Sequence, residues 1–131
     1  MKFINYILIG VLLCCCSIVL GKQGFDSLTN SIRAALRAGN AKELVRNFAN
    51  NVNITVKKQD GLYSRFQAEL IMEEFFRANR ILEVKEVQKV LTTPINFFVV
   101  YSLKTNAANY RVFVKFSEID KEAKVVEFRL E

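Results

Sequence analysis

The sequence predicts an α+β fold, helices packed on a curved antiparallel sheet in the element order α-α-β-α-β-β-β-β. Three observations predict it. Apolar residues recur at helical spacing before Asn79, they alternate with period two after Ile81, and the late apolar segments are joined by connections too short for anything but hairpins.

The first helix spans about 26–38, where Phe25, Leu28, Ile32, Ala35 and Leu36 form one narrow apolar stripe and Gly39 supplies a left-handed end. A second starts at once, because Asn40 with Glu43 three residues on is a capping pattern. Leu44, Val45 and Phe48 form its buried face, and Asn50-Asn51 stops it. Val52, Ile54 and Val56 then alternate with polar residues as a strand with one buried face, and 57–61 is its exit turn.

Ser64 followed by Gln67 opens the strongest helix, over 65–79. Its broad arc holds Ala68, Ile71, Met72, Phe75 and Ala78, while Phe66 and Leu70 fall on the other side, so the helix is expected to be covered on two sides. Beyond Ile81, Leu82 and Val84 alternate until Lys85-Glu86 breaks the phase before Val87, the mark of a bulge in a long bending strand. Residues 97–103 begin apolar on both faces, as a central strand does. Tyr110, Val112, Val114 and Phe116 form the next strand and Val126, Phe128 and Leu130 the last, with polar hairpin connections at 105–109 and 117–123.

Length and composition bound the function. A chain of 131 residues holds one ordinary domain, and 51% hydrophobic residues with a single proline exclude a disordered or Pro-rich chain. Met1 to Gly21 reads as a signal peptide, with Lys2 ahead of a long apolar run and small Val19 and Gly21 placed for cleavage before Lys22. The domain is then 22–131, exported to a periplasmic or envelope-associated location. Two alternatives compete, lipidation at Cys16 and an uncleaved anchor. All three cysteines, Cys14, Cys15 and Cys16, lie in the leader, so the domain itself has no thiol chemistry and is not transmembrane. Histidine is absent, and no metal, phosphate-loop or nucleophile motif is present, so no cofactor and no metal are expected.

The net charge of +6 comes from scattered cations, with Lys57-Lys58 the only adjacent pair in the domain. They read as a solvated surface, and nucleic acid is not an expected partner.

Four stretches carry a family resemblance. They are Leu36-Arg37-Ala38-Gly39-Asn40-Ala41-Lys42-Glu43-Leu44, the segment Gly61-Leu62-Tyr63-Ser64-Arg65-Phe66-Gln67-Ala68-Glu69, the pair Phe75-Phe76 with Tyr110-Arg111-Val112, and Phe128-Arg129-Leu130-Glu131. On these the domain resembles the bacterial exported family of domains of unknown function numbered 4783 (DUF4783), similar to the nuclear transport factor 2-like (cystatin-like) cone. The resemblance implies a helical layer on a curved sheet with a pocket between them, and no established activity.

The expected function is therefore binding, of an apolar small molecule or a protein partner, with Tyr63, Met72, Phe76, Tyr101 and Tyr110 as candidate lining residues and no catalytic residue. The exposed sheet face is the surface for a homodimer if one forms. The alternatives are a purely structural assembly domain and a lyase or isomerase, the latter by analogy with enzymes sharing the cone. In it Tyr63, Tyr101 or Tyr110 donates to an oxyanion, and Asp60, Glu69 or Glu73 serves as base. Against that, Asp60-Gly61 reads as a turn, and Glu73 with Arg77 reads as a surface pair one helical turn apart. Arg111 and Arg129 fall opposite the apolar sheet set, as solvent-facing partners of Glu127 and Glu131.

Overall fold

The computed structural model describes residues 23–57, 59–93 and 96–131, with side chains from residue 26 onward. The expected leader with its cysteines, the expected cleavage point at Gly21 and the Phe25 side chain lie outside the described residues.

Among the described residues three helices and six strands follow in chain order: α1 (Gln23–Ala38), α2 (Ala41–Val45), β1 (Phe48–Val56), β2 (Gln59–Ser64), α3 (Arg65–Ala78), β3 (Ile81–Thr93), β4 (Asn96–Thr105), β5 (Asn109–Ile119) and β6 (Glu122–Leu130). Helix α1 ends in a Schellman motif. Gly39 takes φ 62°, its N–H donates to Leu36 O at 3.1 Å, and Asn40 N–H donates to Ala35 O at 3.0 Å. The Asn40 side-chain oxygen then accepts from Glu43 N–H and starts α2. This helix is shorter than expected. Leu44 and Phe48 are spaced as on a helix, yet Phe48 already lies opposite Val125 of β6, so the strand begins before Asn50-Asn51.

Strand β2 is the one element the pattern did not announce. Lys57 turns the chain at φ 55°, and Gln59–Ser64 runs back antiparallel along Val56 to Asn51. Its side chains include Gly61 and an exposed Leu62, so no apolar alternation marks it. The sheet order is β2-β1-β6-β5-β4-β3, antiparallel throughout except that β1 runs parallel to β6. The late strands form the expected meander. Register shifts bend it: Val87 is extra between the Glu86–Tyr101 and Gln88–Val100 pairs, as the phase break predicted, and Val126 is extra between Val125 and Glu127. The second bulge puts Val125 on the core face with Phe128 and Leu130, in place of the half-buried Val126.

The concave face of the sheet is full. Phe48, Ile54, Tyr101, Leu103, Phe116 and Phe128 meet Ile32 and Leu36 of α1, Leu44 of α2, and Ala68, Met72 and Phe75 of α3. Helix α3 has both halves of a capping box at Ser64 and Gln67. It is covered on one side only. Phe66 remains 68% exposed and Leu70 49%, which corrects the expectation of cover on both sides. Among the described residues no helix is long and apolar enough to cross a membrane.

Candidate functional site

The chain reversal after Val56 holds Lys57 in the left-handed region, a conformation an L side chain adopts at a cost, and it brings Gln59 opposite Val56. The turn stands over the carboxyl-terminal half of α3. Between them lies a cleft of about 350 Å³, within the size range of small-molecule sites. Val56 from the sheet and Ile71, Phe75 and Ala78 from α3 make its apolar walls, and Lys57, Gln59 and Glu74 make its polar rim. The Lys57 ammonium sits 5.8 Å from the centroid of the Phe75 ring, within cation–π range, so one rim charge rests on the cleft's own wall.

Phe75 is fixed from behind. Its ring meets Tyr110 edge-on at 5.3 Å and Phe76 at 5.9 Å. Its carbonyl accepts from both the backbone and side-chain amides of Asn79, whose oxygen accepts from the Tyr110 hydroxyl at 3.3 Å. A buried asparagine thus closes the helix and aims the wall.

The five lining candidates do not converge on this cleft. Met72 is fully buried in the core, and Tyr101, 1% exposed, spends its hydroxyl on Thr29 O at 3.0 Å. Burial pushes the Tyr101 phenol above its ordinary range, Glu86 adds to the rise, and Arg33 opposes it. Tyr110 stands behind Phe75 rather than in the opening, Tyr63 lies half-buried beside Gly61, and Phe76 faces a separate groove bounded by Gly39 and Arg77. None of the cleft's lining residues, Val56, Lys57, Gln59, Ile71, Glu74, Phe75 and Ala78, is among those five candidates. Only the hairpin turn could have signalled them, since it carries the strand's last apolar residue back over the helix.

Among the described residues no tyrosine hydroxyl bonds a carboxylate, and the buried polar side chains are Thr29, Asn79 and Thr105, with no acid among them. Asp60 accepts from Thr55 Oγ1 at 3.0 Å on exposed strand β2 rather than in a turn. Glu73 and Arg77 are exposed and are not among the ion pairs of the described residues, which corrects their expected pairing. Arg129 does pair with Glu131, at 2.8 Å, on the outer sheet face. On that face Phe98 and Phe113 also meet, at 4.9 Å.

A family model described as "Domain of unknown function (DUF4783)" matches residues 29–131. The chain belongs to the DUF4783 family. A DUF4783 protein from Bacteroides uniformis superposes on this DUF4783 chain with a TM-score of 0.73 at 20% identity, covering 78% of this chain and 94% of its own. A Nostoc punctiforme domain of unknown function with a cystatin-like fold reaches 0.67 at 8% identity, over 87% and 78%. A Xanthomonas campestris protein described as a calcium/calmodulin dependent protein kinase II association domain reaches 0.60 at 15%, over 81% and 83%. These likenesses establish the fold, and no curated protein matches the chain.

Proposed function

We propose that this DUF4783 domain is an exported, non-enzymatic binding protein whose ligand is a small molecule with an apolar body and a polar end. The observation that carries this is the cleft beneath the Val56–Gln59 turn, where apolar walls face each other and the polar groups are confined to the rim. The ligand's apolar part lies against Ile71, Phe75 and Ala78, and its polar end reaches Lys57 and Gln59 at the opening. Export rests on Lys2 and the apolar run before Gly21. The isomerase alternative needs a carboxylate desolvated beside a tyrosine, and the three tyrosines are committed elsewhere or lie apart from any buried acid.

The test is fluorescence titration with anilinonaphthalene sulfonate, an apolar dye with one anionic end. Ala78 is exposed at the cleft wall, so Ala78→Trp fills the space without opening the core. The expected result is dye bound by the wild type and not by Ala78→Trp, at an unchanged melting temperature. Equal binding by both proteins overturns the assignment.

A further inference from the structure

A second concavity lies on the other side of α3, and it gathers charge that the sequence scatters. Arg37 ends α1, Lys42 sits in α2, Arg77 is in the last turn of α3, and Arg80 follows it at the entry to β3. All four lie in the lining of two adjoining troughs, of about 530 and 250 Å³, which share Ala38, Gly39, Phe76 and Arg77. Glu73 is the one carboxylate in either lining. None of the four cations is in an ion pair among the described residues, although six such pairs form elsewhere. The loop after β4 braces this end of the molecule. Asn106 N–H donates to Arg80 O at 3.1 Å, and the Asn106 side-chain oxygen accepts from Arg80 N–H at 2.8 Å. The backbone beneath Arg80 is therefore held while its guanidinium is left over.

We infer that this groove binds an acidic polysaccharide, its carboxylate or sulfate groups paired with Arg37, Lys42, Arg77 and Arg80 and one sugar ring lying on Phe76. Guanidinium groups present a planar fork that fits carboxylate and sulfate oxygens two at a time, which selects oxyanions over other acceptors. Four cations along two connected troughs suit a chain of spaced charges, whereas a single phosphate needs donors converging on one point. Phe76 is half-buried, held edge-on by Phe75 at 5.9 Å, and supplies an apolar floor for the C–H face of a pyranose.

Other polyanions fit less well. An acidic peptide seeks a sheet edge for its backbone groups, and the groove is walled by helix ends and the Asn106 loop. A nucleic acid strand seeks several stacking rings, and the lining offers one. A membrane surface is met by a projecting face with apolar side chains inserted, and these cations line a hollow. The groove shares Ala78 with the ligand cleft, but neither its four cations nor Phe76 lines that cleft, so either assignment stands if the other fails.

The test is fluorescence anisotropy with a labelled chondroitin sulfate hexasaccharide and the purified protein. Wild type is expected to bind it, and Arg77→Glu and Arg37→Glu are each expected to weaken binding by about tenfold or more, as loss of a charge-assisted pair plus repulsion requires. Lys115→Glu makes the same charge change on the exposed outer sheet face and is expected to leave the affinity within about twofold, the share of long-range attraction. Thermal melts of all three variants should match wild type, since each residue is exposed. An equal loss in Lys115→Glu overturns the groove, leaving only net charge. Displacement of the probe by hexaglutamate, or binding to phosphatidylglycerol vesicles, at the same concentrations and with the same sensitivity to Arg77→Glu overturns the polysaccharide.

Discussion

Replacing Tyr101 with phenylalanine removes one oxygen from the core and one tether from α1. The hydroxyl donates to Thr29 O at 3.0 Å, and Thr29 itself is 5% exposed, so the bond is shielded from water. Its net worth is about 1 kcal/mol at neutral pH, since the ring remains and the lost partner is a helix carbonyl. The sign reverses in alkali. Unfolded tyrosine ionises near about pH 10, while in the folded protein burial and Glu86 hold the phenol neutral above that range. A raised folded pKa means that the tyrosine's contribution is complete below the unfolded value and is lost as pH climbs toward the folded one, at about 1.4 kcal/mol per pH unit. The phenylalanine variant lacks that slope, and all other ionising groups are shared. Urea unfolding followed by circular dichroism should therefore show Tyr101→Phe less stable by about 1 kcal/mol at pH 7 and the two proteins of equal stability near about pH 11. A difference that stays constant from neutral to alkaline pH would falsify the buried, neutral phenol.

Two further outcomes check the fold and the leader. Phe75→Ala should cost about 3–5 kcal/mol because it empties a 4%-exposed ring site between Tyr110 and Phe76, whereas Ser64→Ala should cost about 1 kcal/mol through the lost cap; denaturant midpoints that ranked the two alike would contradict the packing of α3. Mass spectrometry of the exported protein should show an amino terminus at Lys22, and a lipid increment on Cys16 would contradict it.

What could be read in advance was what neighbouring residues decide. Gly39 and Asn40 stop one helix and start the next within two residues, and Ser64 with Gln67 opens α3, each by bonds that span only three to five residues along the chain. The bulge at Val87 was visible because alternation itself slips there. Strand β2 and the true start of β1 were not, since Gly61, an outward Leu62 and Phe48 become strand residues only through partners elsewhere. The site suffered more from the same limit. Met72 and Tyr101 have the composition of a pocket lining but fill the cone, and the cleft is made where Val56 and Ala78, unremarkable by type, come face to face. Charge behaved likewise, for Arg37 and Arg77 are neighbours only after folding.

The parallel seam between β1 and β6 sets a timetable. Residue 48 lies against residue 125, and residue 56 against residue 130, so the middle of the sheet is completed by β6, which follows the other five strands along the chain. Until then β1 has only the β2 hairpin beside it, and the β3-β4-β5 meander has no link to that hairpin through the sheet. A nascent chain stopped before Glu122 therefore has two half-sheets, each with an open edge of unpaired amides and carbonyls, and the cone cannot close. Contacts so distant along the chain make closure slow compared with helix formation. The step that locks the sheet therefore waits for β6, and the two earlier groups of strands stay divided until it is in place.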